Sequence, residues 1–404
     1  MSGRVVVVGA GHAAGTFAAL LRQAGYDGEL VLVGAERHLP YQRPPLSKTF
    51  LAEPATQWLR EAPFYVENSI TVRLHETITL IDRVAHTVET SLGQVLTYDA
   101  LVLATGARPR MLDVPGCDLP GVLSLRTIED AAALRDGLAG AAGLAVVGGG
   151  YVGLEVAAVA RSGGVPVTVL EREDRVLARV ASPALSGILA AHHRGRGTDV
   201  RTGADVVAFE GDADGVRRIR LADGEAVDAG TVVVGVGAIP CDELASRSGL
   251  LCRGGVVVDG AARTSDDAIW ALGDVTVRPR HGGGEPMRFE SIPSATEQAR
   301  QAVASIMGKP SVEPEVPWFW SDQFDLKLKI AGVVAAPYDT VLRGEPATGS
   351  FALFHHHGGR LVAVEAANAN ADFMAGRRLL ASNRPVDADR LGDPTVPLRE
   401  LALA

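Results

Sequence analysis

The chain has 404 residues, 47% of them hydrophobic and 22% charged, which suits a globular protein of two or three domains. Its formal net charge of −9 argues against a nucleic-acid binder, because affinity for a phosphate backbone needs a surplus of Lys and Arg. No stretch reaches the roughly 18 to 20 uninterrupted apolar residues of a spanning helix and no leader pattern opens the chain, so a cytoplasmic protein is expected.

The first element is the β-branched run Arg4 to Val8, which ends in Gly9-x-Gly11-x-x-Ala14. Thr16 to Leu21 reads as helix, and Glu29 to Val33 as a second strand with Glu36 just beyond it. The first glycine permits a tight turn, the second lets backbone approach a pyrophosphate, and the third small residue lets helix and strand pack closely. The helix N-terminus then offers free N–H groups and its positive dipole end to the phosphates. One such fingerprint is weak evidence by itself.

Next, Arg37 to Lys48 contains three prolines, which forbid a continuing helix and predict a rigid loop carrying Arg43 and Lys48. It is either a solvated proline turn or a loop lying along a cofactor. Gln57 to Glu67 reads as helix, Thr71 to Leu74 and Ile78 to Asp82 as strands, and Val84 to Leu96 as a hairpin turning at Leu92-Gly93. Ala100 to Ala104 is an apolar strand ending at Thr105-Gly106, a place for backbone to meet a nucleotide at the carboxyl edge of a parallel sheet.

Pro115-Gly116 and Pro120-Gly121 mark a linker. Arg126 to Leu138 reads as helix, with Thr127 as N-cap and Asp130 three residues on. The glycine grammar then recurs in full. The apolar run Ala145 to Val147 leads into Gly148-x-Gly150-x-x-Gly153, a helical pattern follows, and strand Pro166 to Leu170 ends in Glu171, 21 residues after Gly150. A carboxylate there bonds a ribose 2′-hydroxyl and repels a 2′-phosphate. It favours NADH over NADPH, although Arg172 and Arg175 nearby can partly accept a phosphate. Two complete units in one chain suggest two dinucleotides, a tightly held FAD and an exchanging nicotinamide nucleotide.

Helix Pro183 to His193, strands Val206 to Glu210 and Gly215 to Leu221, and the run Thr231 to Gly237 complete the second domain, echoing the first. Asp266 to Val275 contains a short strand ending in Gly273-Asp274, where the Asp either caps a turn or bonds a flavin ribitol. Ser291 to Met307 reads as helix, and the prolines between 310 and 317 form a boundary. The last piece opens with Trp318-Phe319-Trp320, either core packing or an aromatic wall beside a flavin ring. Strand-like runs and a helix from Ala371 to Ala381 follow. His355-His356-His357 carries no metal-site signal, since adjacent strand residues face opposite ways and no other ligand stands at suitable spacing. Cys117, Cys241 and Cys252 are far apart, which excludes a paired-cysteine relay and a four-cysteine iron–sulfur centre.

With these pieces placed, the chain resembles the FAD-dependent, NADH-linked ferredoxin reductases of the putidaredoxin reductase and palustrisredoxin reductase type, which include reductase components of aromatic-ring dioxygenases. The matching stretches are Tyr41 to Lys48, Ala104 to Arg110, Gly148 to Ala157, Glu171 to Val180, Gly273-Asp274, Glu290 to Ile292 and Pro317 to Gln323. The resemblance implies an α/β fold: two Rossmann-like, glutathione-reductase-type nucleotide-binding domains plus a C-terminal α+β domain. It implies an FAD domain from 1–112 and 241–316, an NAD domain from 113–240, and a reductase domain from 317–404. By matched motif, Gly9, Gly11, Ala14, Glu36, Arg43, Lys48, Arg126, Asp274 and Ile292 are expected to line FAD, with Ile81, Thr105, Gly106, Gly273 and Ser291 beside them. Gly148, Gly150, Tyr151, Gly153, Glu155 and Glu171 are expected to line NADH, Gly237 to be a further cofactor-binding residue, and Trp320 to close over the flavin region. Lys48, Glu155 and Trp320 are the expected catalytic residues, with Glu155 pairing to Lys48 when nicotinamide is absent. No metal is expected. Gln42, Val275 and Pro293-Ser294 depart from common members of the group.

The implied activity is hydride transfer from NADH to FAD, then single electrons to a 2Fe-2S ferredoxin serving a cytochrome P-450 or a Rieske oxygenase. Two other readings stand beside it. An NADH oxidase or peroxidase needs a redox Cys near Tyr41 to Arg43, and none is there. A redox-sensing flavoprotein of the apoptosis-inducing-factor type would bind without fast turnover. Arg73, Arg300 and Lys309 are candidates for a docking patch facing an acidic ferredoxin. A monomer or weak homodimer is expected.

Overall fold

The computed structural model describes residues 3–335 and 337–401, which divide into two compact units. The first comprises Met1–Gln42, Thr56–Arg108 and Ile239–Pro317. At its centre is a five-stranded parallel sheet in the order Ile269–Ala271, Ala100–Leu103, Arg4–Val8, Glu29–Gly34, Ile70–Leu74. Strand side chains alternate between faces, so a strand apolar at every position needs cover on both. Val5 and Val7 pack with Phe17, Leu21, Ala299 and Ala302 from helices His12–Gln23 and Ile292–Ile306. Val6 and Val8 pack on the other face with Ile78, Ile81 and Val88 from a small antiparallel sheet.

The second unit comprises Arg43–Ala55, Pro109–Ala238 and Trp318–Ala404. Its parallel sheet has the same design, in the order Asp199–Thr202, Val167–Glu171, Leu144–Val147, Thr231–Val234, Val122–Leu123. One face packs on hairpin Val206–Asp212 and Gly215–Leu221. The other packs on helices Tyr151–Ser162 and Pro183–Gly195. The same core continues into Leu326, Leu328, Ile330, Phe351 and Leu353, so the C-terminal antiparallel sheet buries one face within it. That sheet runs in the order Trp318–Gln323, Leu326–Gly332, Arg360–Ala367, Ser350–His357, Asp339–Glu345.

Two local readings of the sequence need correction. The proline loop is not irregular: Pro44–Ser47 forms a 3-10 helix and Thr49–Ala52 a short α-helix. Both prolines stand in its first turn, where no backbone donor is required. The expected helix Gln57 to Glu67 contracts to Ala62–Glu67, because Trp58 bridges Tyr41 and Pro63 opens the helix. The run Thr231 to Gly237 is strand over Thr231–Val234 and finishes in the glycine-bearing turn, as the first domain does. The capping box is present as expected: the Thr127 hydroxyl accepts from the Asp130 amide, and Asp130 accepts back from the Thr127 amide.

Candidate functional site

In the first unit, four strand ends gather the expected residues at the carboxyl edge of the parallel sheet. Val8 leads into Gly9, whose φ of +112° and whose space both require glycine: a Cβ there would stand 2.2 Å from the Ala104 carbonyl oxygen. Gly11 caps helix His12–Gln23 with no side-chain acceptor, so its leading N–H groups are left for a ligand. Ala14 is fully buried under the turn. The strand ending at Leu103 delivers Thr105, whose hydroxyl donates to the Cys241 carbonyl at 2.7 Å, and Gly106. The strand ending at Ala271 delivers Gly273 and Asp274, and a Cβ on Gly273 would stand 3.0 Å from that of Ala13. Beyond Gly34, the Glu36 carboxylate accepts from the Tyr41 hydroxyl at 2.5 Å.

Two residues at this edge escaped the sequence reading. Buried Gln298 accepts from the Gly273 amide at 2.8 Å and donates to the Thr276 hydroxyl at 2.6 Å, locking the Gly-Asp turn. Its only trace in the sequence is one polar residue within a helical stripe. His12 opens the glycine-turn helix with its Nδ1 buried and without a hydrogen-bond partner. Burial pushes its imidazole down to about 4, opposed by the nearby Asp274 carboxylate. A glycine cradle, an uncapped helix end and an orphaned ring nitrogen fit an adenine-dinucleotide pyrophosphate. Ser291 caps helix Ile292–Ile306. Ile81 does not reach this edge: it is core, 5% exposed, two residues from Arg83, which pairs with Asp266 ahead of strand Ile269–Ala271.

The second unit repeats the cradle. Gly148 has φ +105°, and a Cβ would stand 2.5 Å from the Gly235 carbonyl oxygen. A Cβ on Gly153 would stand 2.4 Å from the Gly148 oxygen, which explains the third glycine. Gly150 caps helix Tyr151–Ser162, again without a side-chain acceptor. Glu171 stands at its strand tip with Oε2 accepting from the Gly149 amide at 2.7 Å and Oε1 from the Glu173 amide at 2.9 Å. Arg172 is exposed, but Arg175 is engaged by the Ala178 and Ala181 carbonyls and the Ser186 hydroxyl, which removes it as a phosphate ligand. The Gly237 carbonyl accepts from the Arg110 amide at 2.9 Å. Tyr151 turns inward: its ring meets Phe319 edge-on at 4.8 Å and its hydroxyl is buried without a partner. Burial, then the Glu365 charge, pushes that phenol well above its ordinary range.

The second unit also holds the Lys48–Glu155 pair. Lys48 Nζ stands 2.7 Å from Glu155 Oε2, and Glu155 is 3% exposed. Ser47 Oγ donates to Glu155 Oε2 at 2.5 Å and Ser321 Oγ donates to Oε1 at 2.7 Å. Neither serine stood out in the sequence, although each adjoins a residue that did. Arg43 Nη1 donates to the Arg126 carbonyl at 2.7 Å, which brings those two residues together. Trp320 is not brought to Glu155. Along strand Trp318–Gln323, Phe319, Ser321 and Gln323 face Tyr151, Glu155 and His193, while Trp318 and Trp320 lie ring to ring at 5.9 Å on the opposite face.

His355 is fully buried, its Nε2 2.9 Å from Glu365, which also accepts from the Ser182 amide and hydroxyl. Among the described residues no His, Cys, Asp or Glu cluster suits a metal ion, and no helix is long and apolar enough to cross a membrane. The three cysteines are free thiols, and burial pushes Cys252 up to about 11. The three cations suggested for docking are engaged: Arg73 by Glu76, Arg300 by Glu315 and Lys309 by the Ala24 carbonyl.

Residues 3–300 match the pyridine nucleotide-disulphide oxidoreductase family, and residues 318–402 match the reductase C-terminal domain. The chain is 45% identical over 404 residues to a probable ferredoxin reductase, CtmF, of Castellaniella defragrans, covering 99% of each. The fold matches the crystal structure of the ferredoxin reductase for the CYP199A2 system of Rhodopseudomonas palustris with a TM-score of 0.95 at 39% identity, covering 99% of this chain and 100% of that one. It matches putidaredoxin reductase, solved as a covalent complex with putidaredoxin, with a TM-score of 0.95 at 39% identity, covering 98% of this chain and 97% of that one. The chain is an oxidoreductase of the pyridine nucleotide-disulphide oxidoreductase family, among its ferredoxin reductases.

Proposed function

We propose that the protein is an NADH-dependent flavoprotein ferredoxin reductase delivering electrons to a 2Fe-2S ferredoxin that serves a cytochrome P-450 or Rieske oxygenase. The observation that carries this reading is the presence of two glycine cradles in one chain, one in each unit, with Lys48 paired to the buried Glu155 in the second. The covalent complex of its relative with putidaredoxin supports the choice of partner. FAD, when bound, supplies the conversion of a two-electron hydride into single electrons. The protein's share is binding, orientation and charge. Gly9, Gly11, Ala14, Glu36, Thr105, Gly106, Gly273 and Asp274 are the residues assigned to FAD, and Gly148, Gly150, Gly153, Glu171 and Gly237 those assigned to NADH. Lys48 is the cation assigned to offset negative charge on the reduced cofactor. Residues 1–112 and 241–316 are assigned to the FAD domain, 113–240 to the NAD domain and 317–404 to the reductase domain. The free thiols and the demand for NADH fit a cytoplasmic location.

The test is an anaerobic titration with NADH followed in the visible spectrum. Bleaching of the flavin band near one equivalent, then reduction of an added 2Fe-2S ferredoxin, is the expected result. Flavin that binds but stays oxidised would favour a redox-sensing role, and a protein that never holds flavin would overturn the assignment of the first cradle.

A further inference from the structure

The geometry points to Ser47 and Ser321 as positioning residues that hold the Glu155 carboxylate independently of Lys48, so that Lys48 can leave without stranding a buried charge. The proton inventory supports this. A carboxylate accepts only, so each serine proton lies toward Glu155. At Ser321 the direction is enforced from behind. Gln323 Nε2 donates to Ser321 Oγ at 3.3 Å, and His193 Nε2 stands 3.0 Å from Gln323 Oε1, an acceptor. The chain of donors therefore runs His193, Gln323, Ser321, Glu155, through residues that are at most 3% exposed.

The two partners of the ion pair are held unequally. Glu155 has donors on both oxygens besides the ammonium. Among the described residues Lys48 has, besides Glu155, only the Pro44 carbonyl at the edge of bonding distance, 3.5 Å, and its side chain is 15% exposed against 4% for Glu155. The carboxylate is the fixed member and the ammonium the movable one. Ser321 belongs to the C-terminal sheet, so that sheet contributes directly to the site. The consequence for turnover rests on the redox role proposed for Lys48, while the hold on Glu155 does not.

The test uses the FAD-loaded protein and has two arms. Infrared spectra at neutral pH, with Glu155→Gln identifying the bands, read the state of this carboxyl group. In Lys48→Met the ionised carboxylate bands persist. In Lys48→Met with Ser47→Ala and Ser321→Ala they give way to a protonated carboxyl band, and each single serine change in the Lys48→Met background gives a partial conversion, so the inference stays testable if the triple variant fails to fold. A protonated group already present in Lys48→Met, or carboxylate bands untouched by loss of both serines, overturns it. In the second arm, Ser321→Ala with Lys48 present lowers the limiting rate of flavin reduction about 10-fold while half-saturating NADH stays within about twofold. A raised half-saturation at unchanged limiting rate overturns the positioning role. If the unaltered protein is not reduced by NADH, the redox reading fails and the infrared arm still decides the hold on Glu155.

Discussion

Glu155 shows what one buried carboxylate demands: it has serine donors on both oxygens besides the ammonium, because a buried charge left with no partner typically costs about 3–5 kcal/mol. Glu171 is a different case, since its oxygens also brace the glycine turn through the Gly149 and Glu173 amides. Glu171→Gln keeps an acceptor for Gly149 but loses the charge proposed to repel a 2′-phosphate. The expected outcome is a fall of about 10-fold or more in the ratio of kcat/KM for NADH over NADPH, and an unchanged ratio would remove Glu171 from cofactor choice. His193 carries a pH dependence. Burial pushes it down to about 4 from 6.5, so the unfolded chain takes up a proton that the folded chain refuses. Its stabilising contribution is complete above pH 6.5, declines as the pH falls and is lost below about 4, with an amplitude of about 3 kcal/mol. Urea midpoints measured from pH 7 to pH 4 should fall less steeply in His193→Asn than in the unaltered protein, and identical slopes would contradict this.

At the scale of elements, the two glycine turns are alike in form, and the proposed function gives them different tasks. Each places a glycine at positive φ against a carbonyl of the neighbouring strand's extension, where a methyl group has no room. Gly9→Ala should yield protein with little bound flavin, read as flavin absorbance per chain. Gly148→Ala should retain flavin while half-saturating NADH rises about 10-fold or more. Full flavin content in Gly9→Ala, or flavin loss confined to Gly148→Ala, would reverse the assignment of the cradles. The proline turn follows similar logic: Pro44 and Pro45 begin a 3-10 helix because they need no amide partner, and that helix presents Ser47 and Lys48 side by side.

At the scale of the whole molecule, the C-terminal sheet is tied into the second unit by a buried polar knot. Ser182 caps helix Pro183–Gly195, bonds Glu365 through amide and hydroxyl, and Glu365 meets His355, whose Nδ1 stands 3.0 Å from the Thr340 hydroxyl. Replacing Glu365 by Ala strands His355 and Ser182 in the interior. The expected loss of about 3–5 kcal/mol should lower the thermal midpoint by roughly 5 °C or more and expose the sheet to limited proteolysis. A melting curve and digestion pattern unchanged from the parent would show that apolar packing alone holds the sheet.

Much of this molecule is legible without coordinates. Two glycine fingerprints behind β-branched runs determine two parallel sheets and the glycine turns at their carboxyl edges, and Thr127 with Asp130 determines a helix start, because turn sterics, strand alternation and capping act within a few residues. The serines that hold Glu155 are another matter: they come from 108 and 166 residues away. The side of the strand on which Trp320 lies, the engagement of Arg175, and the fate of Ile81 in the core share that character. Each depends on which face of a strand or helix meets which distant neighbour. Periodicity shows that a face is buried but not against what, so only the tertiary packing decided them.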